Sequence, residues 1–257
     1  MRELDYQKLS LDIEHWIRIY VNSAGAEKVV IGLSGGIDSA VAAALCANGL
    51  GKTNVLSYAL PCDSVPQDLK DAQFIASTIG IKFEVIDLTL VYNQFLKSID
   101  ISSNKVAKAN LKPRLRMMTL YYLAQSIQEC LVAGTGNRAE LQIGYFTKYG
   151  DGGVDFEPLG MLYKNEVKKL AKILKIPELI IKKPPSPGLW KGQTDEGEIG
   201  MSYDMIDEIL YRIDYNLGFD GLERIVIEKV KNMMKLAEHK LKMPPMFEIN
   251  TSERAIL

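Results

Sequence analysis

Gly32, Leu33, Ser34, Gly35, Gly36, Ile37, Asp38 and Ser39 form a stretch whose residue types suit a bound phosphate. Adjacent glycines let the backbone take positive φ and leave no Cβ between the chain and a ligand. The N–H groups of such a turn converge on an anion. A helix starting just beyond adds unpaired N–H groups and the positive end of its dipole. Ser34 and Ser39 contribute hydroxyls. Asp38 would repel a phosphate, but it suits Mg²⁺, a hard cation that takes carboxylate and phosphate oxygens together. The bland alternative is a glycine-rich turn that merely joins strand to helix, with Asp or Ser as its cap. The order SGGxDS, with a strand before it and a helix after it, speaks against that.

The elements around this loop follow from periodicity. Lys28–Leu33 is a β-branched run that reads as a buried strand, and the helix after the loop runs from Asp38 to about Asn48, stopped by Gly49 and Gly51. Val55–Leu60 and Lys82–Ile86 are further strands, with a helix at Gln67–Ile79 between them. Helical stretches are predicted at about Val91–Ser98 and Pro113–Glu129, then a fourth strand at Cys130–Ala133 and a helix from Arg138. Helical spacing also marks the chain from Leu9 to Tyr20. Alternating strands and helices imply a parallel sheet covered by helices on both faces. Beyond it come a glycine-rich loop at 148–160, a helix at Tyr163–Leu174 and a long proline-rich loop at 182–197. Two further helices lie near Tyr203–Ile213 and Gly221–Leu236. A loop as long as 182–197 inside a compact domain is commonly a lid or binding loop.

Two motifs mislead. Gly51-Lys52-Thr53 imitates the end of a Walker A loop, but the glycine needed five positions earlier is Cys46. Gly134-Thr-Gly136-Asn-Arg-Ala139 imitates a dinucleotide fingerprint, yet it follows the fourth strand and not the first. Bulk properties exclude more. A formal net charge of −1 disfavours a protein whose main task is gripping nucleic acid. Three scattered cysteines without a CxxC pair make a disulfide framework or zinc site a poor fit and favour a reducing compartment. His15 and His239 are the only histidines, too few for a His-rich metal site. The N-terminus has no apolar signal core, and the longest apolar run, Ala40–Ala47, is far short of the roughly 20 residues of a membrane span. These features lead us to expect a cytoplasmic protein of one domain, residues 1–257.

The SGGxDS loop after the first strand resembles the pyrophosphatase loop of N-type ATP pyrophosphatases. The remaining segments resemble the NAD synthetase family: Asn110–Met117, Gly134–Glu140, Gly144–Gly153, Pro185–Trp190, Gln193–Glu196 and Glu238–Lys240, in the family's order. The resemblance implies a three-layer α/β/α, doubly wound fold of the adenine nucleotide alpha hydrolase type, with additional C-terminal helices. It implies ATP-dependent amidation of deamido-NAD through an adenylated carboxylate, releasing AMP and pyrophosphate. Two anions must then be held together and their charge neutralised.

Residue by residue, the resemblance assigns Gly32–Ser39, Thr135, Lys164 and Ser186 to ATP, and Asp38 and Glu140 to Mg²⁺. Arg114, Lys148, Asp155, His239 and Lys240 go to deamido-NAD, and Asp38 and Lys164 carry the catalytic roles. Singly, each has a plain reading as a surface charge, turn cap or loop hydroxyl. Ile37 stands where the family often has Gln, and Ser186 keeps the hydroxyl of the usual Thr. Glutamine-using members carry an N-terminal nitrilase-like domain, for which the residues before the loop leave no space, so free ammonia is the expected nitrogen source. The family implies a homodimer, with the N-terminal helix and the Pro113–Glu129 helix as candidate interface elements. Competing readings are another ATP pyrophosphatase, tRNA-modifying or GMP-forming, and a nucleotide-binding module without catalysis. Reactive cysteines and a basic RNA platform are not evident, and intact Asp38, Glu140 and Lys164 oppose the last.

Overall fold

The structure is a computed structural model that describes residues 2–99, 104–186, 188 and 193–247. The sheet has four parallel strands, β1 (Lys28–Gly32), β2 (Val55–Ala59), β3 (Lys82–Val85) and β4 (Cys130–Ala133), in the order β3-β2-β1-β4. Val30 pairs with Leu56 on one side and Val132 on the other.

Strand alternation sorts the core. Val29, Ile31, Val55 and Ala59 face a cluster with α1 (Tyr6–Ser23), α2 (Ile37–Leu50), α3 (Pro66–Ile79), α7 (Lys164–Ile173) and α8 (Glu178–Ile181). Val30, Tyr58 and Val132 face the opposite cluster, with Tyr92 of α4 (Thr89–Ile99) and Leu115 and Ala124 of α5 (Lys105–Ile127). The three layers and parallel, doubly wound sheet agree with expectation. The third cluster joins α6 (Arg138–Ile143), α10 (Tyr203–Asp214) and α11 (Arg224–Leu241) through Ile143, Ile206, Ile209, Leu210 and Val230.

The chain leaves β1 through α2 toward β2, whereas β4 lies on the other flank of β1. The loops after β1 and β4 therefore diverge at their carboxyl ends, the crevice where open α/β sheets bind ligands.

Two expectations about elements need correction, and one helix had no expectation. Pro113 does not start a helix but lies inside α5, which begins at Lys105 with the Asn104 side chain capping Val106 N. Proline removes one backbone donor there, and the long helix, buried on one side by β1 and β4, tolerates the loss. The 182–197 segment is not loop throughout: α9 (Asp195–Ile199) forms one turn of helix with Thr194 as its cap. The short helix α8, entered from Pro177, has too few residues to show a period. Residues 187 and 189–192 of that segment, including half of the quoted Pro185–Trp190 motif, lie outside the described residues.

Candidate active site

The loop after β1 is shaped by its small residues. Gly35 has φ +79°, and a Cβ there would stand 2.4 Å from Asp68 O, so no other residue fits. Ser39 Oγ donates to Gly36 O (3.0 Å) and accepts from Ser34 N (3.3 Å). Ser34 Oγ accepts from Gly36 N (3.2 Å). The loop thus keeps its turn by its own hydroxyls and presents the N-terminus of α2.

Asp38, in the first turn of α2, meets residues from two distant helices. Lys164 Nζ, at the start of α7, donates to Asp38 Oδ2 (2.5 Å) and Glu140 Oε1 (2.9 Å). Asn137 Nδ2 donates to Asp38 Oδ1 (3.0 Å) while its carbonyl oxygen caps Glu140 N (3.1 Å). Glu140 Oε2 reaches back to Asn137 N, which completes a capping box at the start of α6. The N-terminus of α7 is held by buried Asp207 of α10, which accepts from Lys164 N (3.1 Å) and Asn165 N (2.9 Å).

Burial sets the electrostatics. Lys164 is 1% exposed. Burial pulls its ammonium down, but Asp38 and Glu140 outweigh that and hold it above the ordinary lysine range, fully charged. Burial pushes the Glu140 carboxyl up to about 7, opposed by Lys164. Behind the β4 loop, burial pushes Glu157 up to about 8 although Gly136 N donates to it (2.9 Å).

Asp38, Glu140 and Lys164 line a cavity of about 530 Å³ together with the β1 loop, Thr135, Ser186 and Lys240. That is ample for a nucleotide. Ser186 Oγ donates to Gln193 O (2.7 Å) and so joins the two legs of the proline-rich segment. Lys148 Nζ donates to His239 O (2.6 Å), Arg114 Nε to Lys148 O (3.3 Å), and Lys240 Nζ to Gly144 O and Phe146 O (2.7 and 2.8 Å). The structure therefore brings Arg114, Lys148, His239 and Lys240 into one neighbourhood, although only Lys240 lines the main cavity. Arg114 instead borders a groove with Met117, Met118, Tyr121, Tyr122 and Tyr149. Asp155 stands apart: its carboxylate accepts from Val132 N (2.7 Å) and Tyr121 OH (3.0 Å), binding the loop to β4.

Several residues of the cavity lining, and others that hold that lining in place, carry no role in the sequence reading. Asn137 had a legible signal, the N-x-x-E spacing of a capping box. Lys183 bonds Gly35 O, Asp68 and Asp71 (3.2, 2.9 and 2.5 Å), and Arg116 donates to Leu60 O and Ser64 Oγ (2.9 and 3.1 Å). Nothing local distinguishes either from surface cations. Tyr203 reads as an ordinary first-turn helix residue and Asp195 as part of the proline-rich loop.

A parallel α/β sheet with a phosphate loop at its switch point, facing a buried lysine between two carboxylates, defines a nucleotide-binding enzyme. The chain belongs to the NAD synthase family, whose sequence model matches residues 9–244. It is 44% identical to the NH(3)-dependent NAD(+) synthetase of Pyrobaculum aerophilum, over 98% of this chain and 97% of that protein. Among solved structures it is similar to the NMN synthetase of Francisella tularensis, with TM-score 0.88 and 36% identity over 96% of this chain and 100% of that one. It also resembles the NH3-dependent NAD synthetase of Campylobacter jejuni, with TM-score 0.83 and 32% identity over 96% of this chain and 100% of that one. No helix among the described residues is long and apolar enough to cross a membrane.

Proposed function

We propose that this protein amidates deamido-NAD (nicotinic acid adenine dinucleotide) with free ammonia, cleaving ATP to AMP and pyrophosphate. The nicotinate carboxylate attacks the α-phosphate of ATP, and pyrophosphate leaves as the acyl adenylate forms. Ammonia then attacks the acyl carbon, AMP departs, and a proton is released. The observation that carries this reading is the single cavity in which the β1 phosphate loop faces Lys164, Asp38 and Glu140. Its setting is a chain of the NAD synthase family.

In this reading Gly32–Ser39 hold the ATP phosphates, with Thr135 and Ser186 as further contacts. Lys164 is the fixed cation for the leaving pyrophosphate, already dehydrated and in place. Arg114, Lys148, Asp155, His239 and Lys240 bind deamido-NAD, Asp155 through the loop it anchors. Asp38 Oδ2 and Glu140 Oε1 already converge on one cation, the Lys164 ammonium, and such hard oxygen donors fit Mg²⁺. When bound, Mg²⁺ supplies charge neutralisation at the phosphates. The reading places a single catalytic domain in a cytoplasmic homodimer, with α1 and the grooved face of α5 as interface elements.

The test is to incubate purified protein with ATP, Mg²⁺, ammonium and deamido-NAD and to follow NAD and AMP, which should form in equal amounts. Folded protein that makes no NAD rejects the proposal, and equal rates with glutamine would reject the ammonia assignment. The similarity to an NMN synthetase favours a second reading, amidation of the corresponding nicotinic acid mononucleotide. A kcat/KM for the mononucleotide above that for deamido-NAD would favour it.

A further inference from the structure

Asp195 carries a buried oxygen that no group among the described residues satisfies. The residue opens α9 and is 5% exposed, with its backbone N donating to Pro185 O (3.0 Å). Asp195 Oδ2 accepts from Tyr203 OH (2.8 Å), whereas Oδ1 has no hydrogen-bond partner among the described residues. Native proteins seldom leave a buried acceptor so, and the exceptions ask for a cause.

The surroundings supply one. Asp195 lines the same cavity as Asp38 and Glu140. The Tyr203 hydroxyl stands 3.3 Å from Glu140 Oε1 as well, and its one proton cannot serve both carboxylates at once. The ring of Tyr203 packs against the Lys164 ammonium, 4.8 Å from its centroid. Tyr203 therefore links Asp195 to the lysine that already bonds Asp38 and Glu140. Donors and positive charge are both short on the Asp195 side.

We infer that Asp195 is a further acidic residue of the divalent-cation site formed by Asp38 and Glu140, acting through water: Oδ1 accepts a hydrogen bond from a water of the hydrated ion while Tyr203 fixes Oδ2. The inference rests on the reading of Asp38 and Glu140 as cation ligands. Mg²⁺ dehydrates reluctantly and keeps several waters, so a carboxylate one water away is a natural complement. Groups at that distance commonly change metal affinity 10- to 100-fold. Asp195 N on Pro185 O and Ser186 Oγ on Gln193 O also tie this carboxylate to the proline-rich segment. Cation binding and the placement of Ser186 are thereby linked.

The experiment titrates Mn²⁺ into the full-length protein with α,β-methylene-ATP and follows free Mn²⁺ by electron paramagnetic resonance. Asp195→Asn weakens Mn²⁺ binding about 10- to 100-fold, and Tyr203→Phe weakens it several-fold, both with unchanged circular dichroism. Tyr203→Phe removes only the hydroxyl, so it carries the test should Asp195→Asn fail to fold. Asp38→Asn is titrated alongside. If Asp38→Asn leaves Mn²⁺ affinity intact, the underlying cation site is wrong and the inference falls with it. If Asp38→Asn abolishes binding while Asp195→Asn and Tyr203→Phe stay within twofold of wild type, the inference alone is overturned.

Discussion

Lys164 Nζ donates to Asp38 Oδ2 across 2.5 Å although 126 residues separate the two. The bond joins the first turns of α7 and α2. A lysine at a helix N-terminus is disfavoured by the dipole, and buried it is disfavoured further. It is held there by Asp38, by Glu140, and by Asp207, which occupies the α7 terminus. The contact thus joins the C-terminal half to the phosphate loop, beside the packing of α7 on α2.

Lys164→Met should therefore damage both stability and catalysis. Two partly buried carboxylates lose their shared cation, a change of the kind that costs about 3–5 kcal/mol. Added Mg²⁺ should recover part of the melting temperature of the variant and much less of the wild type's. The rate should fall at least about 100-fold, as for other removed transition-state donors. A melting temperature insensitive to the substitution would show that the ion pair is not formed in solution.

Gly35→Ala should disable ATP binding more than folding. The methyl would have to occupy a left-handed conformation that costs about 1–2 kcal/mol and stand 2.4 Å from the Asp68 carbonyl oxygen. The loop must move away from α3, and its N–H groups lose their common focus. Calorimetric titration with α,β-methylene-ATP should show affinity lower by at least about tenfold. Gly51→Ala, also at positive φ but with nothing near its Cβ position, is the control and should leave ATP affinity unchanged.

Glu157→Gln should change how stability depends on pH. The folded carboxyl titrates near 8 while an exposed glutamate titrates near its ordinary 4.5, and burial is the main cause. A raised carboxyl makes the folded state hold a proton that the unfolded chain releases, so its contribution to stability is present at low pH and is lost as pH rises from about 5 to 8. Glutamine is neutral throughout and can still accept from Gly136 N. Melting curves for the two proteins should coincide near pH 5 and separate toward pH 8, the variant being more stable there. Parallel curves across that range would remove Glu157 as the source.

The grooved face of α5 gives a test of assembly. Met118 and Tyr122 are 57% and 70% exposed and border the groove beside Arg114. In a homodimer closed by this face, Met118→Glu together with Tyr122→Glu buries two charges and should give monomers by sedimentation velocity. A dimer of unchanged affinity would exclude this face from the interface.

The legible part of this protein lay in periodic and small-residue signals. The unbroken apolar run Val29, Val30 and Ile31 announces a strand buried on both sides, and Gly35-Gly36 announces the turn, because both follow from local sterics. Pro113 misled because a proline reads as a helix boundary unless a long helix has sheet contacts enough to absorb it. The site was legible only through Asp38, Glu140 and Lys164 as family-patterned residues. What holds them was legible only where Asn137 caps Glu140 at local spacing; Asn137 on Asp38, Tyr203 on Glu140 and Asp207 on the start of α7 meet across the fold, and no spacing along the chain encodes such meetings.

Lys183 exemplifies this and gives the last prediction. Its ammonium bonds the carbonyl of Gly35 in the phosphate loop and two carboxylates of α3, of which Asp71 is 5% exposed. It thereby ties the start of the proline-rich segment, which carries Ser186, to the loop that faces ATP. Lys183→Met should leave Asp71 with only Gln67 as a side-chain donor among the described residues and cost about 1–3 kcal/mol. It should also raise KM for ATP about tenfold with a smaller change in kcat. Asp71→Asn added to Lys183→Met should restore most of the stability, since the unpaired charge is gone, but not KM, since the tether to Gly35 is still missing. Recovery of both together would reduce Lys183 to a stabilising ion pair with no part in placing the loop.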